Sequence, residues 1–102
     1  GKIDIGILAN TSDANFSKLM DALKSKEFST ARKWVGQNID GDVAPFFRKL
    51  YDTIYDHAAP SSIPQIVVTL ADYQYKSAFA ADQEINTMAL LTEIMVDTEW
   101  KK

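Results

Sequence analysis

The sequence predicts an all-α protein, a bundle of five helices. Apolar residues recur every three or four positions through five successive segments from Asp13 onward, the spacing of an amphipathic helix. Pro45 and Pro64 each stand just after a capping residue, at first-turn positions where the missing N–H costs nothing. Two-residue alternation is confined to Ile3, Ile5 and Ile7, too short a run to build a sheet.

In chain order, residues 1–12 read as a connector from a preceding module. The sequons at Asn10 and Asn15 carry little weight without a secretory signal. The first helix starts at Ser12 or Asp13 as N-cap and buries Phe16, Leu19, Met20 and Leu23. Ser25, Lys26 and Glu27 break it. A second helix, Phe28 to Asn38, turns Phe28, Ala31, Trp34 and Val35 to one side and forms an αα-hairpin with the first. Gly36 costs this helix about 1 kcal/mol relative to alanine. Asp40 or Asp42 caps a third helix, which runs to about Asp56 with Phe46, Phe47, Leu50, Tyr51, Ile54 and Tyr55 on a wide apolar face.

Ser62 caps the fourth helix and Asp82 the fifth, which continues toward Trp100. These last two helices carry more apolar surface than one core requires. In the fourth, Ile66, Leu70, Tyr73 and Ser77 line one face with Val67 at its edge. Val68, Tyr75 and Phe79 line the opposite one. In the fifth, Ile85, Met88, Ala89, Leu91, Met95 and Val96 form a broad face, from which Leu90 and Ile94 point away. A helix of a small solitary domain normally keeps one face for solvent. Val68, Tyr75, Phe79, Leu90 and Ile94 are therefore the expected contacts with another subunit, and the isolated chain is expected to self-associate.

A chain of 102 residues is one domain or a fragment of a larger chain, 46% hydrophobic and 25% charged, as in ordinary globular proteins. It has no cysteine, which excludes disulfides and thiol chemistry and fits an intracellular setting. No apolar run approaches the length of a membrane span. The net charge of -3, with 11 scattered basic residues, argues against a domain that grips nucleic acid alone.

Catalytic signals are weak. His57 follows Asp56 and precedes Ser61 and Ser62, but no nucleophile turn accompanies them. A histidine favouring the negative end of its helix explains the position better. Glu93, Asp97 and Glu99 lack the histidine or facing carboxylates of a metal site, so a solvated face is expected. Trp34 and Trp100 could stack on bases, but the helical spacing around Trp34 favours core packing. No phosphate loop or G-x-G-x-x-G run occurs. Neither a catalytic centre nor a cofactor site is expected in this chain.

Two stretches carry a family resemblance. Leu19 to Val35, LMDALKSKEFSTARKWV, resembles the helix pair that opens the C-terminal collar of replication-factor-C-type clamp-loader ATPase subunits, with Leu23, Phe28, Ala31 and Arg32 at its motif positions. Ala71 to Leu91, ADYQYKSAFAADQEINTMALL, resembles the end of that collar through Asp72 and Tyr73, the small-residue corner Ala80 and Ala81, then Glu84 and Ile85. KIDIGIL and EWKK look most like the clamp-loader subunits of T-even-type bacteriophages. The resemblance implies a collar over 13–102 that holds AAA+ ATPase modules in a five-subunit ring. Those modules, absent from this sequence, would use ATP and magnesium to open a sliding clamp and place it on primer–template DNA. A cytoplasmic location, in an infected bacterium if the source is a phage, would follow. The corner is often glycine in that family. A free-standing helical adaptor that binds a partner peptide or helix is the alternative.

Overall fold

The computed structural model describes residues 13–39 and 42–101. Among them are five α-helices, α1 (Asp13–Lys24), α2 (Phe28–Asn38), α3 (Ala44–Ile54), α4 (Ile63–Ser77) and α5 (Gln83–Asp97), with a 3-10 turn at Pro60–Ser62 before α4. The expected connector and the caps Ser12 and Asp40 lie outside the described residues.

Local chemistry accounts for most of the helix ends. Past α1, Lys26 sits in the left-handed region at φ 57°. The Glu27 N–H donates to the Ala22 carbonyl (2.9 Å) and the Lys26 N–H to that of Leu23 (3.2 Å). These are the two bonds of a Schellman motif, which saturates carbonyls that the ending helix leaves open. Asp42 Oδ1 accepts the Ala44 N–H at 3.1 Å as α3 begins, and Pro45 occupies the first turn. Asp82 Oδ1 accepts from the N–H groups of Glu84 (2.9 Å) and Ile85 (3.2 Å), closing the start of α5 as expected.

Ser62 departs from expectation. It precedes α4 but makes no capping bond there. Its hydroxyl instead accepts the Glu99 N–H at 2.9 Å. The helix expected to reach Trp100 stops at Asp97 because Thr98 turns extended. Trp100 then forms an antiparallel bridge with Ala58, flanked by Ala59 N–H to Glu99 O and Lys101 N–H to His57 O, both 2.8 Å. The C-terminal segment is thus a strap across the loop between α3 and α4. Its Glu99 and Lys101 N–H groups find partners 37 or more residues away, which no local pattern announces.

α5 is the central helix, packed against α1, α2 and α4. It buries Thr87, Met88, Leu90, Leu91, Ile94 and Met95. At one end of the core, Phe16 meets Trp34 edge-on at 5.7 Å and both rings meet Phe46 at 5.9 and 5.8 Å. Trp34 is buried and its indole N–H donates to the Asn15 carbonyl at 3.0 Å, so it serves the core. Phe28 and Tyr55, expected on buried faces, are exposed. Phe28 opens α2 and Tyr55 lies one residue past α3, both beyond the reach of the packed turns.

Candidate functional site

α4 turns Ile66, Thr69 and Leu70 inward and half-buries Tyr73. At about 100° per residue, Val68, Asp72 and Tyr75 form one line on the far side, and Phe79, two residues past the helix end, continues it. Val68, Tyr75 and Phe79 are 62%, 69% and 73% exposed. The rings of Tyr75 and Phe79 lie 5.3 Å apart, so the two make a continuous aromatic ridge. Asp72 sits within it, bridged to Lys76 at 3.1 Å in the open. That exposed pair contributes at most a few tenths of a kcal/mol.

The other two expected contacts require a correction. Leu90 and Ile94 are 0% and 1% exposed, inside the core formed by this chain alone. Ile85 and Val96, expected on the buried face of α5, are 69% and 68% exposed. The inward side of α5 is thus centred near Thr87, Leu91 and Ile94, and Ile85, Ala89 and Val96 lie across from it.

The corner between α4 and α5 needs no glycine. Lys26 is the one non-glycine residue with positive φ among the described residues, so Ala80 and Ala81 carry no left-handed strain. Gln83 closes the corner instead. Its amide Nε2 donates to the carbonyls of Ser77 (2.8 Å) and Ala80 (3.3 Å), satisfying acceptors at the end of α4. Asn86 Nδ2 adds a 3.3 Å bond to the Tyr73 carbonyl. Sequence reading missed Gln83, although a glutamine directly after a capping aspartate can reach back this way. Gln83→Ala is expected to destabilise the domain by about 1–2 kcal/mol, read as a lower denaturant midpoint with an unchanged slope.

Tyr73 ties α4 to α5. A hydrogen bond to the Glu93 carboxylate, followed by burial, pushes its phenol up to about 12 from 10.0. Lys76 Nζ lies 4.7 Å from the ring centre. A raised folded-state value favours the protonated phenol in the native state, so this contribution is complete below pH 10 and is lost as pH rises toward 12. Tyr73→Phe should therefore flatten the alkaline fall in stability across that window, measured as unfolding free energy against pH.

A second surface lies where α2 meets the start of α5. Phe28, Arg32 and Gly36, four residues apart, run beside Ser29, Lys33 and Gln37, and Glu84 of α5 closes the far wall of this cleft. Of the residues on which the resemblance rests, Phe28, Arg32 and Glu84 line this cleft, whereas Leu23 and Ala31 are in the core.

The signals for catalysis do not converge. His57 is half-buried beneath the strap; burial first, then Lys24, lower its pKa, with Lys101 adding to this and Asp56 and Asp21 opposing. The Ser62 hydroxyl is engaged with the strap backbone. Among the described residues, no three His, Asp or Glu side chains gather to hold a metal ion, and no helix is long and apolar enough to cross a membrane. Neither a protein-family model nor a curated protein matches the chain.

Proposed function

We propose that this chain is the oligomerisation collar of a clamp-loader ATPase subunit, holding AAA+ modules in a ring for ATP-driven loading of a sliding clamp in DNA replication. The observation that carries this reading is the exposed stripe of Val68 and Tyr75 on α4 and Phe79 just past its end, opposite the buried face of that helix. A solitary domain gains nothing from an aromatic ridge in water, whereas a ring subunit needs apolar surface for its neighbours. The motif residues at the α4–α5 corner add support through the family resemblance. In this reading the other clamp-loader subunits are the direct partners. ATP, magnesium, the clamp and primer–template DNA belong to the parent chain's other modules, and this segment performs no catalysis itself.

The test is made in the parent polypeptide, whose coding sequence upstream of Lys2 is expected to encode the ATPase module. Tyr75→Asp with Phe79→Asp should leave the subunit folded but prevent its co-purification with the other loader subunits, and DNA-stimulated ATP hydrolysis should fall with assembly. Full assembly by the double variant would sink the proposal. The adaptor alternative draws on the same exposed Tyr75–Phe79 pair. It predicts an upstream sequence without an ATPase module.

A further inference from the structure

We infer that the cleft between α2 and α5 is the complementary half of the subunit contact, and that it receives the Tyr75–Phe79 ridge of a second copy, head to tail. The inference rests on the reading of that ridge as a subunit contact.

The placement of the two surfaces comes first. Asn86 of α5 donates to the Tyr73 carbonyl of α4 at 3.3 Å, whereas Glu84 of α5 lines the cleft with α2. Asn86 is two positions beyond Glu84, about 200° of helical rotation, so the two point to opposite sides of α5. α4 and α2 therefore flank the central helix on opposite sides. The ridge faces out beyond one flank and the cleft opens on the other. A head-to-tail contact requires two different surfaces so disposed, whereas a two-fold contact would pair ridge with ridge.

The chemistry of the surfaces is also complementary. Phe28 is 49% exposed at one end of the cleft, an edge or face for an incoming aromatic ring. Arg32 and Lys33 stand on exposed helix positions beside it, suited to a cation–π contact with Tyr75 and to the Asp72 carboxylate in the ridge. Asp72 gives up little to reach them, since its present partner Lys76 is an exposed neighbour on the same helix. Gly36 supplies the floor. An added Cβ there would meet only Glu84 Oε2, at 3.7 Å, so the missing side chain leaves open space rather than serving packing. A row of projecting side chains entering such a groove is the usual way helices pack. The ridge offers an area on the order of a few hundred Å², below one partner's share of a standard interface. The contact is accordingly weak in isolated domains and reinforced in a closed ring.

The experiment is sedimentation equilibrium of the 102-residue chain from micromolar to millimolar concentration, with folding monitored by circular dichroism. The wild type should form concentration-dependent oligomers. A cleft variant, Arg32→Glu with Lys33→Glu, and a ridge variant, Tyr75→Asp with Phe79→Asp, should each be folded and associate at least about tenfold more weakly. Mixed together, the two variants should form a one-to-one dimer that grows no further, because one intact ridge meets one intact cleft. Gly36→Leu, which fills the floor without reversing charge, should also weaken association. Wild-type association by the cleft variant, with loss in the ridge variant, would overturn the cleft assignment and leave the proposed collar standing. Undiminished association by both variants would overturn both readings. A wild type that stays monomeric at millimolar concentration, or a mixture that does not pair, would overturn head-to-tail binding between copies.

Discussion

Ile94→Asp is expected to abolish folding, whereas Tyr75→Asp is expected to leave the domain folded. Ile94 is 1% exposed in the centre of α5, which packs against α1, α2 and α4. Removing its side chain costs about 2–5 kcal/mol through lost burial and the cavity left behind. The introduced carboxylate adds the penalty of desolvating a charge inside the hydrophobic core. Together these approach the whole stability of a domain this size, about 5–15 kcal/mol. Tyr75 is 69% exposed, so aspartate there meets water and changes stability by a fraction of a kcal/mol. Circular dichroism through a thermal ramp reads the contrast directly: Ile94→Asp should show no cooperative transition and Tyr75→Asp should melt near the wild type. A folded Ile94→Asp protein that had lost only self-association would return Ile94 to the subunit contact and contradict the buried placement of α5.

Phe16→Ala should be the next most damaging change. The ring is 1% exposed and joins three helices, touching Trp34 of α2 and Phe46 of α3. Phenylalanine-to-alanine changes at such sites cost about 3–5 kcal/mol, of which the ring–ring contacts supply on the order of 1 kcal/mol. For a domain of this length that corresponds to a melting point lowered by about 15 °C or more. Trp34 reports the same event optically. Its indole N–H is held by the Asn15 carbonyl, one residue before Phe16, so loosening the cluster should shift its emission to longer wavelength in the native baseline. A fall of only a few degrees would show that the cluster collapses around the missing ring and that α1 is held mainly by Leu19, Met20 and Leu23.

The Gln83 and Tyr73 predictions concern the α4–α5 corner and probe a different region. Gln83 acts where a left-handed glycine would otherwise end α4, and it explains why two alanines suffice at the corner. Tyr73 acts through the Glu93 carboxylate, so its contribution is complete below pH 10 and fades only as pH rises toward 12. The clusters around Phe16 and Ile94 are expected to matter at every pH.

Much was legible from local chemistry. The bounds of α2, the Asp82 cap and the two first-turn prolines follow from steric and hydrogen-bonding preferences that act within a few residues. The phase of α4 was legible as well, because its apolar residues fall into two narrow arcs separated by polar ones. That separation put Val68, Tyr75 and Phe79 on one outward line. For α5 the same reasoning placed Met88, Leu91 and Met95 inside correctly, but turned Leu90 and Ile94 outward and Ile85 and Val96 inward. Its sequence is apolar nearly all round, with Ile85, Ala89 and Val96 on one side and Leu90, Leu91 and Ile94 on the other, so periodicity carries no phase information. Thr87, a polar residue, is fully buried on the inward side. Only the placement of three neighbouring helices around α5 decided which apolar face lies inside. The strap was invisible for a related reason: Ser62 and Trp100 acquire their roles from partners dozens of residues away, brought close only by the completed bundle. By itself the sequence determined which segments are helices, where most of them start and that α4 has a spare apolar face. The tertiary structure decided what covers what, because burial depends on long-range packing and not on the spacing of apolar residues alone.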